Sequence, residues 1–107
     1  MAVTYITKQN ASAATEQTLY TVPTVVVSKI VSIFVTNRSA TDTTFTIAHN
    51  VGGGATANTD YLYKDTPLPG NGVFLVTTPI FANTADKIKV TSGSSNVTFS
   101  LYAQETT

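Results

Sequence analysis

Apolar and polar side chains alternate along most of this chain, and this pattern constrains its fold more than any other feature. Residues 97–103 carry Val, Phe, Leu and Ala at every second position, with Thr, Ser and Tyr between them. Val31, Ile33 and Val35 alternate in the same way with Ser32, Phe34 and Thr36. Successive side chains of a β-strand point to opposite faces, so each segment predicts a half-buried strand.

The residue types support strands as well. The chain contains 21 Thr and 12 Val, whose branching at Cβ favours extended backbone. Segments rich in Gly, Pro, Asn and Ser separate the alternating runs, as turns do. We therefore predict strands near residues 2–8, 17–22, 25–36, 42–49, 59–64, 72–78, 86–91 and 96–103.

Eight short strands at this spacing predict an all-β fold, either a single antiparallel β-sandwich or a jelly roll. A chain of 107 residues is long enough for one such domain. The polar segment between residues 7 and 17 has no periodicity, and it is interpreted either as a surface loop or as part of an N-terminal arm. In the second case residues 1–16 form the arm, whose strand from Ala2 to Lys8 pairs with a neighbouring subunit, and residues 17–107 form the β-sandwich domain.

The charge balance excludes several classes of partner. Six basic and six acidic residues cancel, which argues against binding to nucleic acid or to a membrane surface, because both need a basic patch. Charged residues make up only 11% of the chain. A surface of small uncharged polar groups suits close packing against neighbours, because little charge must lose its water. We therefore expect the chain to pack against a partner.

No pattern in the chain indicates catalysis or a cofactor. Gly52, Gly53 and Gly54 lack the Lys and hydroxyl residue that end a phosphate-binding loop. His49 could be oriented by Asp42 or Asp60, but no Gly-x-Ser-x-Gly turn presents a nucleophile to it. The spacing of Asp60 and Asp65 lacks the dense oxygen ligands of a calcium loop. We expect neither an enzyme nor a bound metal or cofactor.

Tyrosines and flexible segments are the candidates for contact with a partner. Tyr61 and Tyr63 lie two positions apart, on one face of a predicted strand. Three interpretations are open: packing in the core, an interface with a partner, or a sugar-binding platform. The N-terminal strand and the glycine loop are the other candidates. The expected contact residues are Val3, Tyr5, Gly52, Gly53, Gly54, Tyr61 and Tyr63.

A recognisable pattern is formed by the segment Thr18 to Pro23, the Val/Ile-rich strand that runs into Asn37-Arg38-Ser39, the Pro67 to Asn71 corner and the closing strand from Asn96 to Tyr102. By these segments the chain resembles small all-β virion proteins of tailed bacteriophages over roughly residues 17–103. The resemblance implies a non-enzymatic structural protein that is made in the host cytoplasm and incorporated into the virion.

Within a virion, the leading hypothesis is decoration or cementing of the capsid surface as a homotrimer bound to the major capsid protein or another virion protein, because a small polar surface and an extended N-terminal segment suit many weak contacts. A tail, neck or fibre-associated component is the first alternative. A small carbohydrate-binding module that uses Tyr61 and Tyr63 is the second.

Overall fold

Two antiparallel sheets packed face to face account for most of the chain. The structure is a computed structural model that describes residues 2–106. Short 3-10 turns lie at Val51–Gly53 and Asn58–Asp60. The strands are β1 (Ala2–Asn10), β2 (Gln17–Thr21), β3 (Val27–Asn37), β4 (Thr43–Asn50), β5 (Tyr61–Leu68), β6 (Val73–Val76), β7 (Ile80–Ala82), β8 (Lys87–Ser92) and β9 (Val97–Thr106).

The strand order identifies the architecture. One sheet, here called the β1 sheet, has the order β1-β9-β3-β6, with β7 also paired to β3. The other, the β2 sheet, has the order β2-β8-β4-β5. Strands β6 and β7 pair with different parts of β3, so together they form one interrupted edge strand. With that edge counted once, eight strands form two four-stranded sheets in the order of a jelly roll.

This topology confirms the predicted all-β sandwich and selects the jelly roll, which strand periodicity alone had left open. Each of the eight predicted strands has a counterpart in the structure. Strand β7 was not predicted. It is three residues long and follows Pro79, so its pairing with β3 defines it rather than any pattern of its own.

The core lies between the two sheets and consists of the inward-facing residues of both. Alternation along residues 97–103 is confirmed, since all four apolar side chains there are buried. The prediction that Val31 shares the core face of Ile33 and Val35 is wrong, because a register shift between Ile30 and Ser32 turns Val31 outward. The largest fully buried side chains include Phe45, Phe99, Ile30, Ile33, Ile47, Leu68, Ile88 and Leu101.

Two turns that are distant in sequence are held together by one buried side chain. Asn37 ends β3, and its Nδ2 donates to the carbonyl oxygens of Thr41 at 2.8 Å and Pro69 at 3.2 Å. Its Oδ1 accepts a hydrogen bond from the amide of Ser39 at 3.0 Å. The Pro67 to Gly72 corner is thereby fixed against the turn that joins β3 to β4.

Residues 11–16 connect the two sheets at one corner of the sandwich. The amide of Ala11 donates to the Val97 carbonyl at 2.8 Å, and the amide of Ala14 donates to the Ser92 carbonyl at 2.7 Å. Strand β1 is paired along its full length with β9 of the same chain. The division of the chain into an N-terminal segment (residues 1–16) and a sandwich domain (residues 17–107) stays a prediction. The N-terminal segment contributes β1 to the β1 sheet.

Over residues 2–106, no helix is long and apolar enough to cross a membrane.

Candidate interaction surface

The expected contact residues lie in three different places. Val3 and Tyr5 lie on β1, at one edge of the sandwich. Tyr61 and Tyr63 lie on β5, an edge strand of the β2 sheet on the side of the sandwich away from β1. The glycines follow the end of β4. One flat partner therefore cannot cover β1 and β5 together.

Tyr5 belongs to a small cluster that joins the two sheets beside β1. Its ring centroid lies 4.9 Å from that of Tyr20 on β2. The Tyr20 hydroxyl donates a hydrogen bond to the carboxylate of Glu105 on β9. Burial, and then this hydrogen bond, raise the pKa of Tyr20 above its ordinary value, so the phenol keeps its proton into more alkaline solution. The cluster holds the inner side of β1 against the sandwich.

The glycine loop is anchored to the sandwich by Asp86, a residue that sequence reasoning did not single out. Asp86 is buried, and its carboxylate accepts hydrogen bonds from the amides of Gly52 at 2.9 Å and Asn83 at 3.0 Å. His49 Nε2 lies 3.0 Å from the same carboxylate. Burial alone would raise the pKa of Asp86, but the bonds from Asn83, Gly52 and His49 outweigh it and lower that pKa.

These contacts correct the expected partner of His49. The partner is Asp86, and neither Asp42 nor Asp60 orients the imidazole. Asp42 instead accepts a hydrogen bond from the amide of Gly70 at 2.9 Å. Asp60 accepts one from the amide of Ala57 at 2.8 Å, and this bond leads the causes that lower its pKa. Each carboxylate thus fixes a turn.

The segment after the Val51–Gly53 turn folds back over the outer face of the β2 sheet. Lys89 on β8 donates to the carbonyl oxygen of Gly54 at 3.0 Å. The Thr56 hydroxyl donates to the Glu16 carboxylate at 3.0 Å, and Lys89 Nζ lies 3.9 Å from the same carboxylate. Ala48, on the outward side of β4, is buried. This outer face is therefore partly covered by the chain itself.

The two tyrosines of β5 do not form a single platform. A register shift places Tyr63 opposite Ile47 and Tyr61 opposite Ala48, and these neighbours on β4 point to different faces. The Tyr63 ring packs toward the core, 5.1 Å from the ring of Phe74. The Tyr61 ring lies outside, 4.9 Å from the Nζ of Lys64. A sugar site that uses both rings together does not match this arrangement.

The outer face of the β1 sheet has a different character from that of the β2 sheet. Cross-strand pairs place apolar side chains side by side on it, as in the T-shaped contact of Phe34 and Tyr102 with centroids 5.6 Å apart. We call this set the outer apolar band. Its members are Ile6, Phe34, Val73, Leu75, Phe81 and Tyr102, which are exposed or half-buried.

The charges around the outer apolar band all have one sign. Lys8 and Lys29 occupy outward positions beside it and are exposed. Glu105 is the one carboxylate within the described strands of this sheet, and it bonds to Tyr20 across the sandwich instead. The face therefore combines accessible apolar groups with positive charge.

Comparison with solved structures shows where else this fold occurs. A chain of the acidic stable capsid structure of Helicobacter pylori bacteriophage KHP30 superposes with a TM-score of 0.55 at 13% identity, over 98% of this chain and 90% of that one. The fold is shared with a phage capsid.

A chain of the structure of infectious bursal disease virus Gx strain matches with a TM-score of 0.51 at 14% identity. The match covers 98% of this chain but only 30% of the other. No protein-family model and no curated protein sequence matches the chain. The jelly roll is thus common to this chain and to chains of two virus structures, one of them the phage capsid.

The members of the outer apolar band were not among the expected contact residues. Phe34 and Tyr102 did carry a signal, because each alternates with buried residues and so has an aromatic ring on the outward side of its strand. Large apolar groups at outward positions often mark an interaction surface. That they lie beside each other depends on the pairing of β3 with β9, which is not visible in the sequence.

Proposed function

We propose that this chain is a non-enzymatic structural protein of a phage virion, which decorates or cements the outer surface of the capsid as a homo-oligomer. Its partners are further copies of itself, as a homotrimer, and the major capsid protein or another virion protein. The outer apolar band carries the proposal. It is an accessible apolar surface with unopposed lysines, on a fold that a phage capsid also contains.

The band suits a surface that meets an acidic or neutral neighbour. Apolar side chains release water on contact, while Lys8 and Lys29 favour a partner surface that bears carboxylates. The protein is synthesised in the host cytoplasm and ends in the virion. The proposed mechanism is many weak contacts per copy, multiplied over the copies on one particle.

The copy number per virion tests the role in the particle. Quantitative mass spectrometry of purified particles should find hundreds of copies, in constant proportion to the major capsid protein. A handful to a few dozen copies would contradict decoration and favour a neck, tail or fibre component. Absence from the particle would contradict the virion role and leave a carbohydrate-binding module, which is tested by loss of glycan binding in Tyr61→Ala, because Tyr61 is the outward-facing ring of the pair.

A matched pair of leucine substitutions tests the surface. Leu75 lies in the outer apolar band and Leu62 lies on β5, and both are 44% exposed. Leu75→Lys should weaken binding of the purified protein to particles roughly thirtyfold, or about 2 kcal/mol, because it loses apolar burial and adds a charge at the contact. Leu62→Lys should leave binding unchanged, and neither variant should alter thermal unfolding. Equal losses in both variants would contradict the assignment of this face.

A further inference from the structure

Three of the four lateral sheet edges carry features that hinder pairing with another strand. Strand β2 has five residues and a register shift between Thr18 and Tyr20. Strand β5 has two register shifts and contains Pro67. The edge formed by β6 and β7 is divided into four and three residues by a segment that contains Pro79. Bulges, prolines and short lengths are the usual protection of exposed edges.

The outer edge of β1 has none of these features. Its nine residues pair with β9 from Ala2 to Asn10 without a register shift, and Lys8 is the one charged residue among them. Within residues 2–106, no strand pairs with its other side. A long, regular, nearly uncharged edge is a template for a strand from another chain.

The hydrogen bond at the end of β1 shows which backbone groups of this strand point away from β9. Ala11 continues the register opposite Val97, and its amide donates to the Val97 carbonyl at 2.8 Å. In an antiparallel pair the N–H and C=O of one residue point to the same side, and this side alternates along the strand. The odd-numbered residues therefore face β9. The amides and carbonyls of Thr4, Ile6 and Lys8 point away from the sheet.

We infer that the outer edge of β1 binds β1 of a second copy of this chain, antiparallel and about a two-fold axis at Ile6. In this register Ile6 lies opposite Ile6 of the second copy, and Thr4 lies opposite its Lys8. Every outward-facing N–H or C=O group of one β1 strand then lies opposite a C=O or N–H group of the other. The two strands are therefore complementary without any change of register. No lysine lies directly opposite a lysine, a pairing that would be unfavourable.

The burial of side chains gives a second reason to expect another copy of this chain at the β1 edge. Ile6 is 53% exposed and adjoins Tyr102 in the outer apolar band. A two-fold pairing at Ile6 makes the bands of two copies continuous across one extended sheet. It also covers both β1 edges at once, because a two-fold contact is closed and leaves no further edge to extend.

The inferred contact does not depend on the virion role, and it is separate from the contact that would form a homotrimer. A two-fold contact requires an even number of chains, either a dimer or, combined with a trimer, a hexamer. Failure of the contact leaves the copy number in the particle unaffected, so the two proposals fail in different experiments.

Amide hydrogen exchange on the unmodified protein tests the inference directly. The amides of Thr4, Ile6 and Lys8 should exchange at least about tenfold more slowly when the protein concentration is raised from micromolar to millimolar, since they gain partners. The amides of Tyr5 and Thr7 should be protected at both concentrations. Rapid exchange at the even positions in the concentrated sample would overturn the proposal.

A proline at position 6 tests the same contact by mass. The Ile6 amide points outward, so Ile6→Pro removes no bond to β9, and its ring blocks the free edge. Sedimentation of the purified protein should show that Ile6→Pro halves the number of chains per oligomer. Ile6→Thr keeps the N–H and the branched side chain, so its oligomer should retain an even number of chains. Exchange protection of the β9 amides reports that the variant is folded. An odd number of chains in the wild type, or an unchanged mass in Ile6→Pro, would overturn the inference.

Discussion

Replacing Asp86 with alanine should lower the free energy of unfolding by about 3 kcal/mol at neutral pH, because the amides of Gly52 and Asn83 then lose their acceptor and the His49 ring loses its partner. Urea unfolding followed by circular dichroism measures the change. Asp65→Asn is the control, because Asp65 is exposed and its ion pair with Lys64 is 3.6 Å long and solvated. That variant should change the stability by less than about 0.5 kcal/mol.

The pH dependence distinguishes an ionic role of Asp86 from simple packing. Its pKa is lowered below the ordinary value of 3.8 by folding. The carboxylate therefore contributes stability that is fully present above that value and is lost as the pH falls through the lower, folded-state value. The stability difference between wild type and Asp86→Asn should shrink on acidification below about pH 4. A difference that stays constant down to pH 2 would contradict the assignment of the hydrogen-bonded carboxylate.

The strands could be predicted because their signal is local. Residues 97–103 alternate strictly, and every apolar side chain of that run is buried as expected. The failure at Val31 has a cause outside its own strand. The register shift that turns it outward arises where β3 pairs with β9, so the alternation of β3 alone does not reveal it.

The contacts of the candidate surface could not be predicted for the same reason. His49 and Asp86 are 37 positions apart and meet only because the end of β4 lies beside the start of β8. Phe34 and Tyr102 were each recognisable as outward-facing rings, but the order of strands in the sheet brings them together. Residue type and periodicity therefore indicate which side chains are exposed, and strand order decides which of them form one surface.

The same distinction predicts opposite effects for two phenylalanines. Phe45 is 1% exposed and its ring centroid lies 5.0 Å from that of Phe74, whereas Phe81 on β7 is 72% exposed. Phe45→Ala should lower the free energy of unfolding by about 4 kcal/mol, since it leaves a cavity between the sheets, and the melting temperature by roughly 20 °C. Phe81→Ala should change the stability by less than about 0.5 kcal/mol.

Thermal and urea unfolding of the two variants under the same conditions measure the contrast. Because Phe81 contacts solvent rather than the core, its loss should instead affect binding to a partner through the outer apolar band. If Phe81→Ala destabilised the isolated chain as much as Phe45→Ala, then β7 would have to pack inward. The outer apolar band would then lose Phe81, and its interaction surface would not extend to β7.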